Sequence, residues 1–204
     1  VWDDTLARRT QTVGRNLPHQ EVKIADPKSS MTLPLGEIGE VCFRGYHVMK
    51  GYFGDREATA GAIDDGRWLR SGDLGSMDQD GYVKTTGRLK EMIIRGGENI
   101  YPVEIEAYLF THPKVAQVAV FGVPDPRLGE EIAVWVQVHA GKSLSEAELR
   151  SFCRDGLAHF KVPKIIRFVD DFPMTVTGKL QKFKMREAME NELSHAEALP
   201  LIAS

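Results

Sequence analysis

The chain has 204 residues, 42% of them apolar and 27% charged, with a net charge of −3. This is the composition of an ordinary globular protein of one or two domains. It excludes the basic footprint of a nucleic-acid or anionic-membrane binder, and no apolar run approaches the ~20 residues of a membrane span.

The opening residues, Val1 to Arg9, are polar and are not expected to form a signal peptide. From there to about Thr86 the pattern is that of short strands broken by turns. Glu21-Val22-Lys23-Ile24 alternates as a half-buried strand does. Gly39-Glu40-Val41-Cys42-Phe43 is a second strand, closed by Arg44-Gly45. Only Asp55 to Ile63 has a helical pattern in this block. Asp64-Asp65-Gly66 and Asp78-Gln79-Asp80-Gly81 are tight-turn signals. The second joins Leu74–Met77 to Tyr82–Thr85 as a hairpin. The block is therefore expected to be a small barrel or a distorted sheet.

The character changes after Gly87. Glu91 to Arg95 is strand-like, Gly96-Gly97 is a turn, and the chain returns through Asn99-Ile100-Tyr101. Pro102 suits the first position of a helix, whose apolar face holds Ile105, Tyr108 and Leu109. Val115 to Phe121 is a buried strand, Val123-Pro124-Asp125-Pro126 a break, and Ile132 to Val138 an alternating strand. Ser145 and Glu148 have the spacing of a capping box. Ile165 to Val169 is a third strand and Leu180 to Leu193 a last helix, followed by a loose tail from Ser194 to Ser204. The whole is an α+β chain. A strand-rich block covers residues 1–88. A compact α+β unit with a three-stranded sheet, a β-hairpin and helices covers residues 89–193.

The two cysteines, Cys42 and Cys153, lie far apart in apolar surroundings, which indicates buried free thiols in a reducing, cytoplasmic setting. The six histidines are scattered without metal-ligand spacing, so no metal site on protein side chains is expected. Lys179 follows Gly178 on a Thr/Gly-rich loop, but Pro173 and Leu180 occupy positions where a phosphate-binding P-loop needs Gly and Ser/Thr. Alone it is a solvated loop lysine or a point charge aimed at an anionic transition state. Asp73, after Gly72, is a turn aspartate or an acceptor for two vicinal ribose hydroxyls. Arg88 is a surface arginine or a donor to ribose and phosphate oxygens. Lys90 stands where the two blocks meet, a position suited to a hinge. Gly96 and Gly97 allow close approach of a ligand but do not form a dinucleotide fingerprint.

The order of these motifs resembles one family. The residues are Gly36 to Gly45, Val48-Met49-Lys50-Gly51-Tyr52, Trp68 to Asp73, Gly87 to Ile94, Gly96-Gly97-Glu98-Asn99-Ile100-Tyr101-Pro102-Val103-Glu104-Ile105-Glu106 and Thr177-Gly178-Lys179. Over roughly residues 10–190 the chain resembles the adenylate-forming superfamily of acyl-CoA synthetases, luciferases and peptide-synthetase adenylation domains. The run from Gly96 to Pro102 is most similar to medium- or long-chain fatty acyl-CoA and aryl-CoA synthetases.

The resemblance implies that residues 1–88 end a large AMP-binding domain and residues 89–193 form its C-terminal lid. It implies ATP, magnesium, CoA and a carboxylic acid, of fatty type, as reactants. Asp73 and Arg88 would hold the ATP or AMP ribose and phosphate, Lys90 would be the hinge, and Lys179 would bridge the carboxylate and the α-phosphate. Gly96, Gly97 and Glu98 would line the pantetheine path, with Phe160 and Lys164 at the CoA nucleotide. The family's Ser/Thr/Gly-rich phosphate loop has no counterpart in the 204 residues, so the chain alone is expected not to adenylate and to need the rest of the large domain as partner. Two other readings stay open: an adenylation domain loading a carrier-protein thiol, and a non-catalytic binding module on the same fold.

Overall fold

The computed structural model describes residues 4–198, and its backbone divides into two compact units, Val1–Lys90 and Glu91–Ser204. In the first unit a short helix, α1 (Leu6–Gln11), precedes the strands β1 (Gln20–Ala25) and β2 (Gly39–Gly45). A second short helix, α2 (Arg56–Ala62), is followed by β3 (Leu69–Met77) and β4 (Val83–Arg88). The strands pair antiparallel in the order β1-β2-β3-β4. Among the described residues β1 and β4 are edges, so the block is an open sheet and not a closed barrel. Its core is small: Ile24, Val41 and Val83, with Val22, Leu33, Phe43 and Met77 against them. Helix α1 departs from the expectation of one helix here. It starts where the Thr5 hydroxyl accepts the Arg8 N–H, and it buries no residue, so no apolar periodicity marks it.

The second unit opens with the hairpin β5 (Ile93–Arg95) and β6 (Glu98–Ile100). Helix α3 (Pro102–Leu109) follows, with Pro102 at its first turn as expected. Two long strands, β7 (Val115–Asp125) and β8 (Gly129–Val138), pair antiparallel along their whole lengths. Helix α4 (Glu146–Gly156), β9 (Ile165–Phe168) and α5 (Lys182–Ala198) complete the unit. Residues 194–198 of the tail expected to be loose thus continue α5, and residues 199–204 lie outside the described residues.

Strand β8 organises this unit. One of its edges carries β7. The other is shared end to end by β5, through Arg95 opposite Gly129, and by β9, parallel to it from Ala133 to Val136. The expected three strands and the expected hairpin therefore form one five-stranded sheet. Alternation along β7 and β8 sends Val118, Val120, Ile132 and Val134 to a core shared with Ile105, Leu109, Leu149 and Cys153 of α3 and α4. It sends Ala119, Phe121, Ala133 and Trp135 to a second core with Phe172, Met185 and Met189. The sheet is thus sandwiched between helices, and both faces of β7 and β8 are buried.

The break expected at residues 123–126 is overturned, because β7 runs on through Val123 and Pro124 to Asp125. β7 has a single strand neighbour among the described residues. A proline on an edge strand can leave its missing N–H on the open side. The Ser145 hydroxyl accepts the Glu148 N–H at 3.2 Å, as the capping spacing requires. Lys114 grips the Glu148 carboxylate and is the main reason it stays ionised below the ordinary Glu range, with the Ser145 backbone N–H adding to it.

Candidate functional site

In the first unit, Asp73 on β3 lies directly opposite Arg88 on β4, and the guanidinium Nε sits 3.2 Å from the carboxylate. The approach to Asp73 is fixed by its neighbours. Gly72 takes φ +73°, a left-handed conformation that suits glycine. Its N–H donates to the buried Glu40 carboxylate at 3.0 Å, which also accepts Arg70 Nε at 2.8 Å. Ser71 Oγ accepts the Asp73 N–H at 3.0 Å and donates to the Val41 carbonyl at 2.6 Å.

With its backbone held, the Asp73 side chain stays 41% exposed. One oxygen on Arg88 leaves acceptor sites open for neighbouring hydroxyls. Asp73 and Ser71 also line a largely apolar cavity of about 260 Å³ with Val41, Phe43, His47 and Val83. Lys90 is exposed in the single 3-10 turn Leu89–Glu91, the last residue of this unit.

In the second unit, Gly96 and Gly97 form the turn between β5 and β6, with φ values of +60° and +89°. Two successive positive φ angles make a primed hairpin turn, which favours glycine at both positions. No heavy atom beyond the chain neighbours would meet a Cβ at Gly97 within 4 Å, so this turn faces open space. Glu98, the first residue of β6, is exposed beside it.

The other two residues expected to serve the same ligand are brought to the base of this hairpin. Arg95 donates to both oxygens of the buried Glu131, at 2.6 and 3.1 Å, and to the Phe160 carbonyl at 3.3 Å. Lys164 Nζ lies 3.8 Å from Glu131 and 3.8 Å from Asp125. Asp125 in turn accepts the Leu128 and Arg127 N–H groups, both at 2.9 Å, and these bonds hold its carboxyl below the ordinary Asp range. Gly96, Gly97, Glu98, Phe160 and Lys164 are thus gathered on one end of the sheet. Arg95 and Glu131, which gather them, carried no expected role.

Lys179 stands apart from that cluster. Its turn is closed by the Thr175 N–H on the Lys179 carbonyl (2.8 Å), the Gly178 N–H on the Thr175 carbonyl (2.9 Å) and the Lys179 N–H on Thr175 Oγ1 (3.0 Å). Gly178 supplies a φ of +79°. The side chain is exposed, and among the described residues its ammonium makes no ion pair or hydrogen bond.

Three residues on, Lys182 opens α5 and is clasped between Glu106 at 2.8 Å and Glu91 at 3.3 Å. Glu106 also accepts the Val120 N–H at 2.8 Å. A single ammonium therefore ties the residue after Lys90, helix α3 and the start of α5. This clasp too was absent from the expected site. Among the described residues, no group of three or more His, Cys, Asp or Glu side chains could hold a metal ion.

A family model described as AMP-binding enzyme matches residues 1–53, and one described as AMP-binding enzyme C-terminal domain matches residues 104–179. YngI of Bacillus subtilis (strain 168), which its name assigns to the acyl-CoA synthetases, is 53% identical over 185 residues, 91% of this chain and 34% of that protein. The medium-chain acyl-CoA ligase ACSF2 of Homo sapiens, named as mitochondrial, is 45% identical over 192 residues, 94% of this chain and 31% of that protein. The crystal structure of ATP-bound MatB from Rhodopseudomonas palustris superposes with a TM-score of 0.83 at 38% identity, covering 88% of this chain and 36% of that one. The chain spans about a third of the length of these relatives.

Proposed function

We infer the function from one premise: this chain belongs to the AMP-binding, adenylate-forming enzymes. In this reading it is the C-terminal part of an ATP-dependent acid–CoA ligase acting on a carboxylic, fatty-type acid. Residues 1–88 close the large domain and residues 89–193 form the lid. The acyl-CoA synthetase names of the relatives at 53% and 45% identity support the reaction class.

The chemistry has two steps. A carboxylate oxygen attacks the α-phosphorus of ATP and pyrophosphate leaves, giving the acyl-adenylate. The CoA thiolate then attacks the acyl carbonyl and AMP leaves, giving the thioester. Asp73 accepts the ribose hydroxyls, and Arg88, held 3.2 Å away, orients that carboxylate. Lys179 faces the negative charge that gathers on the phosphoryl oxygens in the first step. Magnesium, which the family implies, would accompany the ATP phosphates and share in offsetting that charge. Lys90 absorbs the backbone change that exchanges Lys179 for the Gly96-Gly97 turn between the steps. The exposed glycine turn leaves room for a narrow pantetheine chain, with Phe160 and Lys164 meeting the nucleotide end.

The observation that carries this reading is the Lys179 turn. It satisfies its own backbone groups and leaves a cation exposed without a protein partner among the described residues. Among the described residues no helix is long and apolar enough to cross a membrane. Two buried free thiols fit a reducing compartment.

The test is Lys179→Ala in the full-length enzyme. Acyl-adenylate formation should fall on the order of 10²–10³-fold, while thioester formation from supplied acyl-adenylate and CoA is retained. Undiminished adenylation would overturn the assignment. Transfer to a carrier protein but not to CoA would move the chain to the carrier-loading class.

A further inference from the structure

The β5–β6 hairpin is attached to the rest of its sheet by a narrow base. Arg95 opposite Gly129 is the one paired position between β5 and β8, supplemented by Gly96 N–H on the Leu128 carbonyl at 2.8 Å and Ile94 N–H on Glu130 at 2.8 Å. Glu131 lies on β8 between the residue that pairs with β5 and those that pair with β9. It is thus at the seam where the hairpin ends and the third strand begins. Its side chain is 2% exposed. A carboxylate buried to that degree is tolerated only with several charged or polar partners. Arg95 supplies two bonds, the Ile132 N–H a third at 2.9 Å, and Lys164 a nearby positive charge.

The partners come from separate segments. Arg95 belongs to the hairpin, and its remaining bond runs to the carbonyl of Phe160 in the 3-10 turn His159–Lys161. Lys164 lies just before β9, and Arg150 of α4 donates to the carbonyls of Pro163 and Lys164. Lys164 itself is 64% exposed and sits 3.8 Å from two carboxylates. At that range its ammonium is kept in place while its donors remain available to an incoming anion. A bidentate guanidinium–carboxylate pair fixes orientation as well as distance. One buried pair therefore sets the pose of the glycine turn, the Phe160 turn and Lys164 together.

We propose that Glu131, acting through Arg95, is a positioning residue that preforms the thiol-accepting face of this lid. The proposal rests on the reading that this face serves the second half-reaction. It assigns Glu131 no contact with substrate. It predicts a defect confined to CoA use, because the Lys179 turn shares no bond with this network among the described residues.

The experiment measures the two half-reactions separately in the full-length enzyme, with Glu131→Gln, the double variant Glu131→Gln/Arg95→Met, and Gly97→Trp. Glu131→Gln should leave acyl-adenylate formation within about twofold and raise the KM for CoA on the order of tenfold or more. The double variant removes both charges, so no buried ion is left unpaired. It should regain thermal stability while the KM for CoA stays high. An unchanged KM in Glu131→Gln, or equal losses in both half-reactions that the double variant restores, would overturn the positioning role. Gly97→Trp fills the turn directly and reports on the underlying reading. Unimpaired thioester formation in that variant would remove the face from the reaction altogether. Its loss alongside a neutral Glu131→Gln would refute only the inference about Glu131.

Discussion

The turn that carries Lys179 closes on itself, whereas the turn that carries Gly96 and Gly97 is tied to distant parts of the chain. In the first, Thr175 provides an N–H, a carbonyl and a hydroxyl to residues no more than four positions away. In the second, Arg95 reaches Glu131 and Phe160, 36 and 65 positions along. A self-contained turn costs little to move as a body and keeps its cation exposed in any pose. A turn stitched by a buried ion pair holds its shape only while every stitched segment stays in place. The difference suits a reaction in which one face delivers a charge and the other forms a fitted channel.

The largest expected effect that would break this comparison comes from Lys182. If the clasp had no part in placing that self-closed turn, Lys182→Met would touch only stability. We expect more. The substitution leaves Glu106 and Glu91 without their shared cation, and both pair with it from partly buried positions. Discounted for that partial exposure, the stability loss should be about 1–3 kcal/mol. Adenylation should fall several-fold more than thioester formation, because the clasp links the residue after Lys90 to the helix that follows the Lys179 turn. Calorimetry and separate half-reaction rates check both numbers. Equal losses in the two half-reactions would leave the clasp a stabilising contact only.

A smaller effect is expected at Thr175. Thr175→Val removes the hydroxyl that accepts the Lys179 N–H at 3.0 Å and contacts Thr177 Oγ1 at 2.9 Å, and it keeps the side-chain shape. One such bond is worth about 0.5–1.5 kcal/mol. The turn should loosen, adenylation should fall about three- to tenfold, and the KM for CoA should not move. A rise in that KM would show that the two turns are coupled after all.

Much of the fold was legible because it is local. The alternation in Glu21–Ile24 and Ile132–Val138, Pro102 at a helix start, Ser145 before α4 and the turn at Asp78–Gly81 each declare their structure within a few residues. The misreading at Pro124 has a non-local cause. Whether a proline breaks a strand depends on whether that strand is an edge, and edge status is set by pairing that no window of sequence contains. The joining of the hairpin to β8 was invisible for the same reason. The candidate site divides along the same line. Asp73, Arg88, Gly96, Gly97 and Lys179 announce themselves by motif, but Glu131, Arg95, Glu106 and Lys182 act through long-range pairs. One signal was present. Glu131 directly precedes the apolar run from Ile132, and a carboxylate at the mouth of a buried strand calls for a partner.

The smallest effect separates the two turns by acid. The hairpin end of the sheet includes a titrating group whose charge the fold favours: Asp125 is held below the ordinary Asp range, first by the Leu128 N–H and then by that of Arg127. A carboxyl with a depressed folded pKa contributes stability that is fully present above its unfolded value of 3.8 and is lost as pH falls through the lower folded value. The loop from Asp125 to Gly129 should therefore loosen only below about pH 4. The Lys179 turn is closed by amide, carbonyl and hydroxyl groups, none of which titrates there. Amide chemical shifts followed from pH 6 down to pH 2.5 should show Arg127 and Leu128 moving with a midpoint below 3.8, while Gly178 and Lys179 stay still. If the Lys179 turn moved with the same midpoint, a carboxylate would have to be part of its closure. The contrast between a self-contained turn and a charge-stitched one would then be lost.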